Sequence, residues 1–296
     1  MGAGLEVVLQ PLMPDCPLVP WPGPGDILLG LDRAWDNQPP DSPIPPEIAW
    51  VHLLSTGVGN FPLANLAGRP LTSSKGAGSP AIAEFCIASM LAFEKQLPGA
   101  WISEPPEAWG RAALGGLQAK TLGLIGIGTI GSEVARRALA FDMNVVALRR
   151  SGAPADNPAV EISTSLHDVL ARSDHVVVAA PATADTYHLL DAAAFGAVKP
   201  GVHLVNVARG SLIDQDALLA ALDSGRVAMA SLDVTDPEPL PAGHWIYSHP
   251  RVHLTPHMSW SAPQTLPAMI NVFVDNLSRW REGRPLVGVV DVAAGY

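Results

Sequence analysis

From residue 120 onward, short apolar runs alternate with amphipathic segments. The runs Thr121–Ile125, Val145–Leu148, His175–Ala179, His203–Asn206, Met229–Asp233 and Val252–Thr255 predict buried strands. Apolar residues at helical spacing fill intervals between them at Gly131–Phe141, Leu166–Arg172, Ala192–Val198 and Gln215–Ser224. Such alternation predicts a parallel sheet with helices on both faces. Before residue 100 the texture differs. Eleven of the 29 prolines fall in the first fifty residues, and between them lie apolar runs at Glu6–Leu9, Asp26–Leu29 and Ala49–Leu54. These predict short strands joined by proline-rich loops. Trp21, Trp35 and Trp50 argue for a packed region rather than a linker. A helix is predicted from Ser79, with Ser as N-cap and Pro80 at the first position, until Pro98-Gly99 ends it. Ile82, Phe85, Cys86, Met90, Phe93 and Leu97 make it apolar over much of its girth, so it should be buried between layers or at a subunit interface. A last helix is expected over Pro267–Arg281.

Composition narrows the classes. A chain of 296 residues has room for one large domain or two ordinary ones. With 48% apolar and 16% charged residues it is not a disordered chain. The balance of 18 Lys and Arg against 28 Asp and Glu gives a net charge of −10, a field that repels phosphate backbones and argues against nucleic acid as a partner. Two cysteines, Cys16 and Cys86, cannot build a disulfide framework or a four-cysteine zinc site. No apolar stretch is long enough to span a membrane, and the chain does not open on a basic segment followed by an apolar one. The expectation is a cytoplasmic protein with reduced thiols and no membrane partner.

Gly126-Ile127-Gly128-Thr129-Ile130-Gly131 is a GxGxxG between a predicted strand and a predicted helix. In that setting Gly126 permits the tight turn, Gly128 lets a pyrophosphate approach the backbone, and Gly131 lets helix and strand pack closely. The helix start, including Thr129 and Ile130, offers N–H groups to the phosphates. A methyltransferase can also carry a glycine-rich first turn, so the loop alone does not specify a nicotinamide. Eighteen residues beyond Gly131 comes Arg149, where an acid would select NAD by binding the ribose. Arg149, Arg150 and Ser151 could instead hold a 2′-phosphate, which favours NADP(H) over NAD(H). The other reading is a solvated basic turn.

Three further segments each follow a predicted strand: Val205-Asn206-Val207-Ala208-Arg209-Gly210, Leu232-Asp233-Val234-Thr235-Asp236-Pro237-Glu238-Pro239, and Leu254-Thr255-Pro256-His257. Their polar residues therefore fall at the carboxyl edge of the sheet, where open α/β folds bind ligands. In this order behind GxGxxG, they make the chain resemble the D-isomer-specific 2-hydroxyacid dehydrogenase family from about Ser55 to Ala262, with glyoxylate and hydroxypyruvate reductases as the nearest type.

The resemblance implies roles. Arg209 would bind the substrate, His257 would be the acid/base, and Glu238 its acid partner, with Asp236 as the nearest rival for that place. Asp233 would help hold the nicotinamide end, Val207 and Ala208 would line the ring, and Pro181 would flank the cofactor. Backbone amides of Thr56 and Gly57 would bind the substrate carboxylate. The residue types suit reduction of a 2-oxo acid. As hydride reaches the carbonyl carbon, the oxygen needs a proton, which an imidazolium can supply and a neighbouring glutamate can orient. A guanidinium fork suits the carboxylate and the developing charge. His249, His253 and His257 are spaced as on a metal-binding helix, but Pro250 and Pro256 forbid that helix, so no metal site is expected.

Also implied are a Rossmann-type cofactor domain over 99–261 and a smaller, discontinuous flavodoxin-like α/β substrate domain from 1–98 plus 262–296, with substrate in the cleft. A homodimer with the Ser79–Leu97 helix at or near the interface is expected, acting on a small 2-oxo or 2-hydroxy acid. Two alternatives share the fold. Formate oxidation goes with Gln in the acid-partner position, so Glu238 counts against it. A dinucleotide-sensing corepressor is disfavoured by the lack of a long disordered tail. Three positions depart from the family pattern. Asp142 stands where a helix-capping glycine is usual, and Gly59 where Asp or Asn is common. Trp260 replaces a small residue, and could wall the pocket or pack at the domain hinge.

Overall fold

The structure, a computed structural model, describes residues 8–20, 23–31, 43–59, 61–110 and 113–296. The chain divides into two compact units, Met1–Gly78 with Ala262–Tyr296 and Ser79–Ser261.

In the first unit, β1 (Ile27–Gly30), β2 (Trp50–Leu53) and β3 (Leu71–Ser73) form a parallel sheet in the order β1-β2-β3. Leu28 pairs with Val51, and Val51 with Leu71. Every residue of the central strand is buried. Trp50 stacks on Phe273 and Trp280 of the C-terminal helix, Thr265–Arg281, and its indole N–H donates to Thr72 Oγ1 at 2.9 Å. His52 is fully buried between Thr72 Oγ1 (2.7 Å) and Ser74 Oγ (3.2 Å). Residues 288–290 return beside β3, where the Ser73 N–H donates to the Gly288 carbonyl and the Val290 N–H to that of Leu71. Gly288 is at φ +66°, and a Cβ there would lie 2.4 Å from the Ser73 carbonyl oxygen, so only glycine fits this approach. The expected strand at Glu6–Leu9 is corrected in part. Val8 and Leu9 instead lead into a helical turn at Gln10–Leu12, with Pro11 in the fixed φ that such a turn accepts. Glu6, Val7, Trp21 and Trp35 lie outside the described residues.

The second unit opens with helix α1 (Ser79–Lys95), then β4 (Thr121–Ile125), α2 (Thr129–Leu139), β5 (Asn144–Leu148) and β6 (Val160–Ser163). It continues with α3 (Leu166–Arg172), β7 (His175–Val178), α4 (Ala192–Ala197), β8 (Val202–Asn206), α5 (Gln215–Asp223), β9 (Val227–Leu232) and β10 (Val252–Leu254). All seven strands are parallel, in the order β10-β9-β8-β7-β4-β5-β6. This is the doubly wound Rossmann order, with its topological switch between β4 and β7.

Alternation along the strands supplies the two faces. Val176, Val178, Val202 and Leu204 join Leu170, Phe195, Leu218 and Leu222 in one core. Leu122, Leu124, Val177 and Val205 join Val134 and Ala138 of α2 in the other. Ile82, Cys86 and Met90 of α1 belong to that second core. The unit boundary therefore falls before α1, at 78/79, rather than at the expected 98/99, because the helix buries its apolar surface on the larger sheet. Asp142 takes the left-handed conformation, φ +57°, in place of the usual glycine. Among the described residues no helix is long and apolar enough to cross a membrane.

Near the amino ends of β7 and β8 lies a second buried polar chain. His175 Nδ1 meets His203 Nδ1 at 3.2 Å, and His203 Nε2 meets Ser231 Oγ at 3.0 Å. His175 Nε2 lies 3.0 Å from Glu94 Oε1, outside hydrogen-bonding direction. Burial drives the His175 imidazole down to about 4, against the opposing pull of Glu94, and the His52 imidazole down to about 4. Burial holds His203 well below the usual range too. Near neutral pH these rings are uncharged in both folded and unfolded chains. As pH falls below about 6.5 the unfolded chain takes protons first, so stability should decline down to about pH 4, by roughly 3 kcal/mol per ring. Urea unfolding midpoints measured across this window should fall, and His175→Gln should flatten the decline. A midpoint independent of pH between 7 and 4 would contradict the assignment.

Candidate active site

The glycine loop follows β4. Gly126 has φ +99°, and a Cβ there would lie 2.9 Å from the Ala179–Ala180 backbone. A Cβ at Gly131 would lie 2.3 Å from the Gly126 carbonyl oxygen, so α2 can sit this close to the loop only with glycine. Gly128 is different. Its φ is −83°, open to any residue, and a Cβ would meet no protein atom within 4 Å. The chain's own packing does not require glycine there. It leaves open space that a ligand could enter, and the N–H groups of Thr129, Ile130 and Gly131 in the first turn of α2 suit a pyrophosphate. The cradle thus fits a dinucleotide.

Arg149 follows β5 and lies against this loop. Its guanidinium donates to the carbonyls of Ile127 (3.3 Å), Ala153 (3.1 Å) and Pro154 (2.6 Å). Arg150 instead turns to Asp185 at 3.3 Å, largely in solvent, while Ser151 Oγ accepts the Ala153 N–H at 3.4 Å. Pro181 follows β7 on the surface, where its carbonyl accepts the Thr186 hydroxyl at 2.8 Å.

Next to these, the carboxyl ends of β8, β9 and β10 carry the remaining polar residues. Asn206, fully buried at the end of β8, accepts the Ala208 N–H at 3.0 Å and donates to the Arg209 carbonyl at 2.9 Å. Both ends of its amide thus fold the turn that buries Val207 and Ala208 and leaves Arg209 half-buried. The Arg209 guanidinium donates to the Ala208 carbonyl at 2.7 Å. Gly210 then passes so close to the Thr235–Asp236 peptide that a Cβ would fall 2.0 Å from the Thr235 carbonyl carbon. Thr235 in turn donates its N–H to Glu238 Oε1 at 3.2 Å. Glu238 Oε2 lies 2.9 Å from His257 Nδ1, and Oε1 3.2 Å from it. A carboxylate can only accept, so in this pair Nδ1 carries the hydrogen and Nε2 is the nitrogen that can exchange a proton with a substrate.

Asp233, after β9, fixes the His257 segment. It is 1% exposed, and Oδ1 accepts the Thr255 hydroxyl (2.6 Å) and Met258 N–H (2.8 Å) while Oδ2 accepts the Ser259 N–H (2.9 Å). Its carboxylate therefore braces the backbone around the histidine. Asp236, the rival to Glu238, contributes its backbone carbonyl to Gln215. Thr56 and Gly57 belong to the other unit, on the turn after β2, where the Ser55 hydroxyl donates to the Gly57 carbonyl at 2.9 Å and the Ser74 N–H donates to the Ser55 carbonyl at 3.1 Å. Sequence reasoning gave no role to Asn206, Gly210, Thr235 or Thr255. The one signal was their place inside the three motif segments. Among the described residues no group of three or more His, Cys, Asp or Glu is placed to hold a metal ion.

Residues 87–259 match the NAD binding domain of the D-isomer specific 2-hydroxyacid dehydrogenases. The chain is 36% identical over 218 residues to D-3-phosphoglycerate dehydrogenase of Bacillus subtilis, a match covering 72% of this chain and 41% of that enzyme. It is 38% identical over 174 residues to hydroxypyruvate reductase of Thermotoga maritima, covering 58% and 56%. The chain thus spans about half the length of these relatives. Among solved structures, a D-isomer specific 2-hydroxyacid dehydrogenase from Xanthobacter autotrophicus Py2, in complex with NADPH and MES, superposes with a TM-score of 0.80 at 26% identity, covering 100% of this chain and 96% of that one. The protein belongs to the D-isomer-specific 2-hydroxyacid dehydrogenase family.

The three glycines should separate on substitution. Gly131→Ala should lower both the melting temperature and NAD(P)H affinity, at a stability cost of about 1–3 kcal/mol. Gly128→Ala should leave the melting temperature unchanged and weaken NAD(P)H binding in a fluorescence titration. Unchanged affinity in the second variant would remove the ligand as the reason for that glycine.

Proposed function

We propose that the protein reduces a small 2-oxo acid of the glyoxylate or hydroxypyruvate type to the D-2-hydroxy acid, with NADP(H) favoured over NAD(H). The observation that carries this reading is the 2.9 Å pair of Glu238 and His257, joined through Thr235 to the turn that bears Arg209.

When bound, the nicotinamide dinucleotide supplies the hydride. Gly126, Gly128, Gly131 and the α2 amino terminus would hold its pyrophosphate. The protein's own task is proton transfer and charge stabilisation. His257 donates from Nε2 to the substrate's carbonyl oxygen as negative charge gathers there, and takes the proton back in the reverse direction. Glu238 holds the ring by Nδ1 and stabilises it while it is charged. Arg209 offers a planar fork to the substrate's carboxylate and to the oxygen that becomes charged. Asn206 and Asp233 keep the two turns in shape. What supports NADP is a cation, Arg149, at the end of β5, where an acid would bind the ribose hydroxyls of NAD.

A homodimer in the cytoplasm is part of the proposal. Trp101, Ile102, Trp109 and Leu114 are exposed between α1 and β4, and a second copy would cover them.

A panel of 2-oxo acids with NADPH, followed by loss of reduced-cofactor absorbance, should show turnover with glyoxylate or hydroxypyruvate. His257→Asn should lower kcat by about 10²–10⁴-fold while NADPH affinity stays. Tight dinucleotide binding with no turnover of any acid would sink the enzyme reading. Arg149→Leu should raise KM for NADPH about tenfold more than for NADH. Equal effects on both cofactors would reduce Arg149 to a loop brace.

A further inference from the structure

His257 holds a backbone conformation that side-chain-bearing residues seldom adopt. Its φ is +53°, in the left-handed region where the Cβ crowds the backbone. Such a conformation persists only where its surroundings over-determine it. On the upstream side, the His257 N–H donates to the Thr255 carbonyl at 3.0 Å. Downstream, Asp233 receives the N–H groups of Met258 and Ser259. The His257 carbonyl shares a planar peptide with the Met258 N–H, so Asp233 holds one edge of that peptide and the carbonyl edge is left for a second partner. That carbonyl accepts the indole N–H of Trp260 at 3.0 Å.

Burial does not account for a tryptophan at this place, since the residue is 42% exposed. A smaller aliphatic residue would satisfy the turn sterically, but it carries no donor for the carbonyl three residues back. We propose that Trp260 is a positioning residue for the proton-transfer step. Its indole N–H anchors the His257 carbonyl, stabilises the left-handed peptide, and so keeps the imidazole in register with Glu238. This rests on the reading of His257 as the group that moves the proton. Of the two roles the sequence leaves open, pocket wall or hinge packing, neither needs the N–H; the proposed one does.

The test removes the N–H and keeps the shape. Position 260 is replaced by 3-benzothienylalanine, an isostere of tryptophan with sulfur in place of N–H, and separately by Phe (W260F). Both variants should lower the single-turnover rate of reduction about tenfold for every accepted 2-oxo acid, with KM and NADPH affinity unchanged. A readout independent of turnover accompanies this. In ¹⁵N-histidine spectra of the protein without substrate, taken at a pH high enough to deprotonate the ring, His257 should show one tautomer, with the hydrogen on Nδ1, and both variants should shift it toward a mixture. A benzothienyl variant identical to wild type in rate and spectrum overturns the proposal. The same holds for a W260F variant that changes KM selectively among acids of different length, which would mark a pocket wall. His257→Asn is run beside them. If it leaves turnover intact, the acid/base reading itself has failed; if it abolishes turnover while the benzothienyl variant is unaffected, only the role of Trp260 has.

Discussion

One buried carboxylate organises the carboxyl edge of the larger sheet. Asp233 stands at the end of β9 with almost no solvent contact, where an ionised group is costly unless its oxygens are fully engaged. Three donors from residues 255–259 engage them, and the Asp233 N–H reaches across to the Asn206 carbonyl at 3.0 Å. The ends of β8, β9 and β10 are thereby tied into one piece. Arg209 leaves the first of these ends, Glu238 the second and His257 the third. Their mutual placement depends on a residue that need not touch substrate. The unusual backbone at His257 becomes affordable because its neighbours are held on both sides.

The same residue type serves opposite ends of this sheet. His175 and His203 sit near the amino ends of their strands, buried, uncharged and hydrogen-bonded into a chain that ends at Ser231. His257 lies past a carboxyl end, partly exposed, with a glutamate across its Nδ1. Deep burial suppresses charge even with Glu94 3.0 Å from His175, whereas a paired carboxylate in a half-open setting orients a ring for exchange. Parallel topology is what separates the two settings, since every strand presents its carboxyl end to the same edge.

Much of this was legible in the residues, for physical reasons that differ by element. β4 and α3 match their predicted spans end to end, because each is framed by strong punctuation: the glycine loop after β4, and Ser165 capping α3 through the Asp168 N–H. β3 and β6 escaped notice. They are three and four residues long, too short for a two-residue period to stand out. Proline density misdirected the reading around Leu9, where Pro11 starts a helical turn instead of bounding a strand. The periodicity of α1 announced a buried helix but could not say which sheet would receive it. At the site, Arg209, Glu238 and His257 were readable because their types and order are distinctive. Asn206, Gly210 and the Trp260 indole were not, since their work is done through backbone atoms and close approaches that leave no compositional trace.

The returning segment 288–290 has a consequence for the smaller sheet. A three-stranded parallel sheet ending in a strand as short as β3 would otherwise present bare N–H and C=O groups, a template for pairing with another molecule's backbone. Here the polypeptide shields that flank with its own antiparallel extension, and the glycine at 288 lets the two backbones come close enough to bond. Removing those last residues would cost the molecule its protection against edge-to-edge aggregation before it cost any chemistry.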